Sequence, residues 1–278
     1  MKSENPFDRL SQDPVYLELK NHLYNFLIRK EKIRRRLNPG SIDGKILEIG
    51  SAVSPVLENE RNVFYSDLSH AAMKYLKGKE TSRKALTTSA EAVGLKSGSL
   101  AAVLCSEVLE HIPEDQKALD EIRRILRPGG RLILTVPLHP YLFAYDDRFV
   151  HHYRRYVLKD LLKQLEGFGF SDFKVVKLSG LLEKLTMLAA VPLFQLFSRL
   201  QNGDNKWGRF YFLNSGTGPR MRSGPVPEFK NRTAPIYLLP FYKFANRVYA
   251  RIVALEAAVI PLALCTAVLI TGRKKGDR

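Results

Sequence analysis

The sequence predicts an α/β fold in which a mostly parallel sheet is covered by helices on both faces. From residue 45 onward, short and continuously apolar runs alternate with amphipathic helical patterns. Strands of a parallel sheet are apolar throughout because helices bury both of their faces. The chain of 278 residues, 45% of them hydrophobic, is also long enough to bury such a core.

The predicted elements follow one another along the chain. Asp13-Pro14 is typical of a helix start, and the helical pattern after it ends at Asn38-Pro39-Gly40. Helical patterns then separate six β-like runs, which read "KILEI", "NVFYS", "ALTT", "AAVLC", "RLILTV" and "FSDFKVVKLSG". A mainly helical stretch comes next. The final apolar run, "CTAVLITGRKK", is expected to re-enter the sheet as an antiparallel last strand.

These patterns divide the chain into four parts. We expect an N-terminal helical segment (1–39), a sheet-forming domain (40–178), a helical and basic cover segment (179–262), and a last strand with a basic tail (263–278). The cover segment therefore interrupts the sheet before its last strand.

The turn after the first strand, "KILEIGSAVSP", has the position of a ligand-binding loop. Ligands of doubly wound sheets bind beyond the carboxyl ends of the strands, and Gly50 lies there. A GxGxG turn would place further glycines at 52 and 54, where this chain has Ala52 and Ser54, both small. Ser54 and Pro55 predict the start of a short helix.

Asp67 lies 17 residues after Gly50, immediately beyond the second strand. A carboxylate at this place can accept hydrogen bonds from both hydroxyls of a ribose. The alternative is that Asp67 only caps the helix that follows it.

Two later segments follow this turn in a recognisable order. "SEVLEHI" (106–112) and "RPGGRLILTVP" (127–137) resemble the class I S-adenosylmethionine-dependent methyltransferases, with a match from about residue 45 to residue 170. The resemblance implies a Rossmann-like doubly wound sheet, S-adenosylmethionine as cofactor, and methyl transfer. It also implies a set of cofactor-binding residues at the strand ends: Glu48, Gly50, Ser51, Ala52, Asp67, Leu68, Ser89, Ala90, Glu91, Ser106 and Glu107.

The resemblance places the acceptor side beside "DDRFVHHYRRY" (146–156). Candidate catalytic residues are His111, His151, His152 and Tyr153, and candidate acceptor-binding residues are Asp147, His152, Arg154 and Arg155. The alternatives are local packing for His111 and a solvated basic face for the cluster. Transfer from a sulfonium requires positioning rather than a metal, so no metal site is expected. Only two cysteines occur, both in apolar runs, and neither belongs to a CxxC pair.

The net charge of +16 favours an anionic partner. Apolar and basic residues mix in the cover segment, which suits an anionic membrane surface, and the resemblance implies a lipid-linked or surface-glycan acceptor. Nucleic acid is disfavoured as a partner because no aromatic stacking platform is visible. Three alternatives stay open: an RNA or DNA methyltransferase, a non-catalytic adenosine-binding scaffold, and cover helices that simply pack on the sheet or on a second subunit.

The sequence also predicts a location. The N-terminus lacks the apolar core and cleavage site of a signal peptide, and two apolar stretches, 185–198 and 257–272, are shorter than the roughly 18 to 20 residues that span a bilayer. We expect a cytoplasmic protein that associates peripherally with the inner face of the membrane. The oligomeric state is not predicted.

Overall fold

The computed structural model describes residues 19–80, 83–202 and 239–276. The predicted helix start at Asp13-Pro14 and the part of the cover segment from residue 203 to residue 238 lie outside these ranges. The described strands are β1 (Ile46–Ile49), β2 (Val63–Asp67), β3 (Lys84–Thr87), β4 (Leu100–Ser106), β5 (Leu126–Pro137), β6 (Phe170–Ser179) and β7 (Ala267–Lys274). The described helices are α1 (Tyr24–Leu37), α2 (His70–Lys79), α3 (Asp115–Ile125), α4 (Tyr145–Phe149), α5 (Leu158–Gly167), α6 (Leu181–Asn202) and α7 (Leu239–Val259).

The strands form one sheet in the order β3-β2-β1-β4-β5-β7-β6. The pairs from β3 to β5 are parallel, while β7 lies antiparallel between β5 and β6. This arrangement confirms the predicted doubly wound sheet with an antiparallel last strand. The strand order reverses between β1 and β4, which is where such sheets bind their ligands.

The core has two layers, one on each face of the sheet. Helices α1, α2 and α7 contribute buried side chains such as Leu37, Leu76 and Val253 to one layer. Helices α3 and α5 contribute side chains such as Ile122 and Leu165 to the other. Each burial of this kind contributes roughly 1.5 to 3 kcal/mol, so amphipathic helices on both faces hold the sheet in place.

One sequence-based expectation about the fold was wrong. Residues 51–61 form a series of turns rather than the short helix predicted from Ser54 and Pro55. Asn59 takes a left-handed φ of 65°, which a right-handed helix does not accommodate. A segment of this length also gains few helical hydrogen bonds against the cost of nucleation.

The cover segment contributes α6 and α7, which come between β6 and β7 in sequence. Helix α7 packs on α1, where the backbone N–H of Tyr24 donates to Asn246 Oδ1 at 3.1 Å and the rings of Tyr24 and Tyr249 meet edge to face. In the parts of the chain that the structure describes, no helix combines the length and apolarity needed to cross a bilayer.

Candidate functional site

The candidate site lies along the carboxyl edge of the sheet, centred where β1 and β4 diverge. Parallel strands bring their carboxyl ends to the same edge, so the residues after β1, β2 and β4 become neighbours. Residues after β3 lie farther along the same edge. The structure thus gathers predicted cofactor residues that are distant in sequence.

The turn after β1 is compact and held by the backbone of β2. The N–H groups of Gly50 and Ser51 donate to the carbonyl oxygen of Ser66, at 2.8 and 3.2 Å. Gly50 has a φ of 71°, and a Cβ placed on it would lie 2.3 Å from Cγ2 of Val108. Glycine is therefore required here by the left-handed backbone and by packing against Val108. Ala52 also adopts a left-handed φ, of 45°.

Asp67 connects the end of β2 to this turn. One carboxylate oxygen accepts from the N–H of Ala52 at 2.9 Å, and the other accepts from the N–H of Ser69 at 2.8 Å. The N-cap of α2 is Ser69, whose hydroxyl accepts from the N–H of Ala72 at 3.1 Å. Ser69 thus caps α2 with its hydroxyl, whereas Asp67 holds the turn after β1. The adjacent Leu68 is 68% exposed.

Glu48 lies buried beneath the same turn. Its two carboxylate oxygens accept from the N–H groups of Val56 at 2.6 Å and Leu57 at 2.9 Å. Burial raises the pKa of Glu48 to about 7, although these two hydrogen bonds act in the opposite direction. Glu48 therefore shapes the loop from below.

The residues predicted to line an adenine form a tight local turn after β3. The hydroxyl of Ser89 donates to the carboxylate of Glu91 at 3.1 Å and accepts from the Glu91 N–H at 3.2 Å. Ala90 is buried. The hydrogen-bonding groups of Ser89 are thus engaged with Glu91 in this state.

The end of β4 carries a polar network shared with β5 and with α1. Ser106 Oγ lies 2.9 Å from Thr135 Oγ1, and Thr135 Oγ1 donates to Glu107 Oε1 at 2.9 Å. The other oxygen of Glu107 forms an ion pair with Arg29 of α1 at 3.2 Å. Glu107 has a left-handed φ of 53°, which turns the chain sharply away from the strand. An acidic and a basic group therefore stand side by side at the strand end.

Glu110 and His111 follow in the next turn, and His152, from the segment after α4, lies beside them. Glu110 is fully buried, and burial followed by the charge of Glu107 raises its pKa well above the ordinary value. The rings of His111 and His152 meet edge to face, with centroids 4.7 Å apart. Burial and the neighbouring His152 lower the pKa of His111 to about 4.

Asp147 lies at the centre of a buried ion-pair network. It accepts from His152 Nδ1 at 3.0 Å, Arg155 Nε at 2.7 Å and Lys184 Nζ at 3.0 Å. Lys184 also contacts both oxygens of Asp146 at 2.7 Å. Burial alone would raise the pKa of Asp147, but these donors and charges more than offset it and hold the pKa below its usual range.

The other predicted acceptor-side residues are more exposed or pair elsewhere. Arg154 forms an ion pair with Asp115 at 3.2 Å, and Asp115 also accepts from the hydroxyl of Tyr156 at 2.8 Å. Tyr153 is 46% exposed, and the side chain of His151 is exposed. The structure thus brings His111 and His152 together, while His151 and Tyr153 remain at the surface.

Several site residues were not predicted from the sequence: Arg29, Glu110, Thr135 and Lys184. Thr135 interrupts the apolar run at residues 132–137, and that polar residue is a signal that could have indicated it. Glu110 belongs to the same motif, "SEVLEHI", as the predicted residues Glu107 and His111, and this position could have indicated it. Arg29 and Lys184 carry no local signal because their partners lie in distant segments.

A cavity of about 40 Å³ adjoins this edge and is lined by Asn25, Ile28, Arg29, Glu107, Leu178, Ser179, Glu183 and Ala267. Its charged wall consists of Arg29 together with Glu107 and Glu183. Burial raises the pKa of Glu183 above the ordinary value. A small polar cavity thus lies between the end of β4 and the start of the cover segment.

Comparison with known proteins agrees with this architecture. Residues 47–134 match the model of the methyltransferase domain family. A ubiquinone biosynthesis O-methyltransferase from Xanthomonas oryzae pv. oryzae is 34% identical over 102 aligned residues, covering 31% of this chain. The chain spans only 41% of the length of that curated relative.

Two solved structures resemble the fold. The phosphoethanolamine N-methyltransferase 2 of Haemonchus contortus, solved with S-adenosyl-L-methionine, is 15% identical and aligns over 99% of this chain and 61% of its own, with a TM-score of 0.55. A SAM-dependent methyltransferase from Archaeoglobus fulgidus is also 15% identical and aligns over 90% of this chain and 94% of its own, with a TM-score of 0.51.

The family match covers β1 to β5 and the strand ends that carry the candidate site. The turn after β1 and Asp67 at the end of β2 belong to the same segment. Residues 47–134 therefore resemble a methyltransferase domain, and the sheet of this chain has the fold of solved S-adenosylmethionine-dependent methyltransferases.

Proposed function

We propose that this chain transfers a methyl group from S-adenosylmethionine to an oxygen atom of a membrane-associated acceptor, with a lipid-linked or glycan intermediate as the acceptor class. The observation that carries the cofactor assignment is Asp67, a carboxylate at the end of β2 that is tied to the turn after β1. It occupies the place at the sheet's reversal point where a ribose diol can be recognised.

The residues of the edge fit the charges of this cofactor. Asp67 is an acceptor for ribose hydroxyls, and a carboxylate has about four lone-pair positions, so it can keep its turn contacts while accepting more. Glu107 and Arg29 supply the opposite charges that the ammonium and carboxylate of an amino acid require. Gly50, Ser51 and Ala52 keep the turn free of long side chains. When bound, the cofactor supplies a methyl group on a sulfonium, which leaves as a neutral thioether when an oxygen attacks in line.

The oxygen acceptor is supported by the relative in ubiquinone biosynthesis, whose printed name is that of an O-methyltransferase. It is supported also by the polar cavity beside Glu107, which lies between the strand end and the cover segment. A hydroxyl must lose its proton during transfer. His111 and His152 are the neighbouring groups with nitrogen lone pairs, so they are our candidates for removing or redirecting that proton.

The membrane assignment rests on an exposed apolar face of α7, which we call the α7 stripe. It consists of Phe241, Phe244, Val248, Ile252, Leu255 and Val259, which are between 38% and 81% exposed. Arg247 and Arg251 are exposed on the same helix. Large apolar side chains in a row beside cations suit insertion into the headgroup layer of an anionic bilayer.

The cofactor assignment is tested by calorimetry with S-adenosylmethionine and with its demethylated product. We expect binding, and we expect Asp67→Ala to weaken it at least tenfold, about 1.4 kcal/mol. The matched control is Asp160→Ala, which removes an exposed carboxylate in the first turn of α5 and should leave the affinity unchanged. If the unmodified chain did not bind the cofactor, the methyltransferase assignment would be refuted. If the two variants bound with equal affinity, Asp67 would only stabilise the turn and would not contact the ribose.

The acceptor class is tested with cofactor carrying a labelled methyl group. We expect the label to pass to a lipid or lipid-linked glycan fraction and not to RNA. Transfer to RNA would favour the nucleic-acid methyltransferase instead. Cofactor binding with no transfer to lipid, glycan or nucleic acid fractions would favour the non-catalytic scaffold.

Membrane association is tested by flotation with vesicles that contain or lack anionic lipid. We expect flotation with anionic vesicles at low salt, and its loss in the double variant Phe241→Ser, Phe244→Ser. Tyr141→Ser is the control, because that ring is 74% exposed but lies outside the α7 stripe. Retention of all protein in the soluble fraction would exclude membrane association. If the parent were a dimer and the double variant a monomer, the α7 stripe would be a contact surface between two copies of the chain.

A further inference from the structure

Glu110, His111 and His152 form the one group, among the residues that the structure describes, whose side chains could hold a metal ion together. One ligand atom from each residue lies within 4.8 Å of the others. Glu110 and His111 belong to the turn directly after β4, and His152 comes from the segment after α4. The fold therefore assembles these side chains at the carboxyl edge of the sheet from segments about 40 residues apart.

The carboxylate of Glu110 is the first observation that points to a ligand. The residue is fully buried, and neither of its oxygens has a hydrogen-bond partner in the described part of the chain. The nearest cationic candidate, His152 Nε2, is 3.9 Å from Oε1, beyond hydrogen-bond distance. A buried carboxylate without a partner is costly, because it has lost its hydration and gained nothing in return. A bound cation would restore that pairing.

The two histidines provide the second, independent observation. His152 Nδ1 lies 3.0 Å from Asp147 Oδ1, and His111 Nδ1 lies 3.3 Å from the carbonyl oxygen of His151. Both partners are acceptors, so in the neutral rings each contact favours the proton on Nδ1 and leaves the lone pair on Nε2. Metal-binding histidines are oriented in this way, with one nitrogen held by a carboxylate or carbonyl and the other on the metal.

We propose that Glu110, His111 and His152 bind a divalent transition-metal ion, with Zn²⁺ as the representative. Two imidazoles and one carboxylate are the donors of a catalytic zinc site, in which water or substrate takes the remaining position. Ligand atoms on a common Zn²⁺ lie about 3.4 Å apart, so the most widely separated pair would close by up to about 1.4 Å on binding, and Glu110 and His152, now 3.9 Å apart, by about 0.5 Å. The charge of Glu107 acts on Glu110, and the charges of Arg29 and Arg155 act on it in the opposite direction.

The consequence for chemistry rests on the proposed function. The open position of such a site can bind an acceptor hydroxyl and lower its pKa, so that the proton leaves to water and an oxygen nucleophile forms near neutral pH. A metal ion beside the end of β4 would then replace a general base for the acceptor. The sequence-based expectation of metal-free chemistry considered only cysteine motifs and the needs of the sulfonium.

The test uses the full chain with no cofactor present. A chelator first removes any bound metal, and the chelator is then itself removed. Zn²⁺ is titrated by calorimetry, and Co²⁺ is titrated by its visible absorption, which reports nitrogen and oxygen coordination directly. We expect one equivalent of each metal to bind. Glu110→Gln should weaken Zn²⁺ binding at least tenfold, and so should His111→Gln.

Two controls match these variants. Glu114→Gln alters an exposed carboxylate four residues from Glu110, and His70→Gln alters an exposed histidine at the start of α2. Both should bind metal like the unmodified chain. Thermal unfolding of each variant establishes that it is folded. Glu110→Gln replaces a buried carboxyl group with an uncharged amide of the same size, so it should fold at least as well as the parent.

Absence of stoichiometric uptake would overturn the proposal, and so would equal uptake by Glu110→Gln and Glu114→Gln. If Glu110→Gln did not fold, the other two measurements would test the site. A parent without a cobalt spectrum, or a His111→Gln variant that binds Zn²⁺ as tightly as the parent, would overturn the proposal. Calorimetry with S-adenosylmethionine is a separate measurement. Cofactor binding without metal uptake would refute only the metal site. Metal uptake without cofactor binding would refute only the proposed function.

Discussion

Two regions of the carboxyl edge are built in different ways. The first, the turn region, consists of residues 48–57 and 67–69, and its carboxylates are satisfied by backbone N–H groups. The second, the ion-pair region, consists of Asp146, Asp147, His152, Arg155 and Lys184, and its carboxylates are satisfied mainly by charged side chains.

The difference teaches where stability and adaptability lie. Backbone donors are fixed by the fold, so we expect the turn region to keep its shape when a ligand binds. Side-chain ion pairs depend on every partner, because the loss of one leaves a buried charge unpaired. The ion-pair region should therefore be the more sensitive of the two to single substitutions.

The largest expected effect is that of Lys184→Met. Lys184 contacts the buried carboxylates of both Asp146 and Asp147. Its removal leaves Asp146 without this cation and leaves Asp147 with only Arg155 and His152 as charged partners. Breaking such a buried pair costs about 3 to 5 kcal/mol in the free energy of unfolding, measured by urea denaturation. Lys159→Met, at an exposed position on α5, is the control. Equal midpoints for the two variants would contradict the sensitivity of the ion-pair region.

A second prediction concerns the pH dependence of stability in the turn region. The pKa of Glu48 is raised from the ordinary 4.5 to about 7, so between these pH values the native state retains a proton that the unfolded chain loses. Stability therefore falls as pH rises through that interval, by about 3 kcal/mol from this residue.

Glu48→Gln should lack this contribution, as measured by urea denaturation across the interval. Other buried carboxylates shift stability in the same direction, but they are present in both proteins, so the difference isolates Glu48. Glu166→Gln, at an exposed position on α5, is the control. A parent and a Glu48→Gln variant with parallel stability profiles would show that backbone hydrogen bonds keep Glu48 ionised.

The smallest expected effect separates packing from backbone strain at the turn. Gly50→Ala places a methyl group 2.3 Å from Val108 Cγ2 at a left-handed φ, whereas Gly94→Ala has a similar φ of 74° and no atom within 4 Å. Gly94→Ala should cost about 1 kcal/mol, and Gly50→Ala should cost about 1 to 3 kcal/mol more. The double variant Gly50→Ala, Val108→Ala should recover part of that loss. Equal costs at the two glycines would leave Gly50 with only a conformational role.

The sequence predicted the features that depend on local chemistry. Apolar runs predicted the strands, and their alternation with amphipathic helices predicted the doubly wound sheet. Gly50 and Asp67 were indicated because each directly follows a strand. The helix predicted at Pro55 was wrong, since the turn and the left-handed Asn59 depend on contacts made beneath the loop by Glu48.

The ion-pair region could not be derived in the same way. Lys184 lies 38 residues from Asp146 and on a different helix, and Arg29 reaches Glu107 from α1. No local pattern encodes a pairing across such distances. The segment "DDRFVHHYRRY" indicated that charges gather here, but only the fold determines that Asp147 binds Arg155 while Arg154 binds Asp115.

The position of β7 has a consequence for the order of folding. Ser179 at the end of β6 and Ala267 at the start of β7 are paired in the sheet, although roughly 90 residues separate them. At ordinary rates of synthesis, about 4 to 18 s pass before the ribosome has made that partner. During this interval β5 presents an unpaired edge and β6 has no neighbour, so the nascent chain is exposed to wrong pairing. The sheet is therefore complete only after the whole segment between β6 and β7 has been translated and β7 has paired with both neighbours.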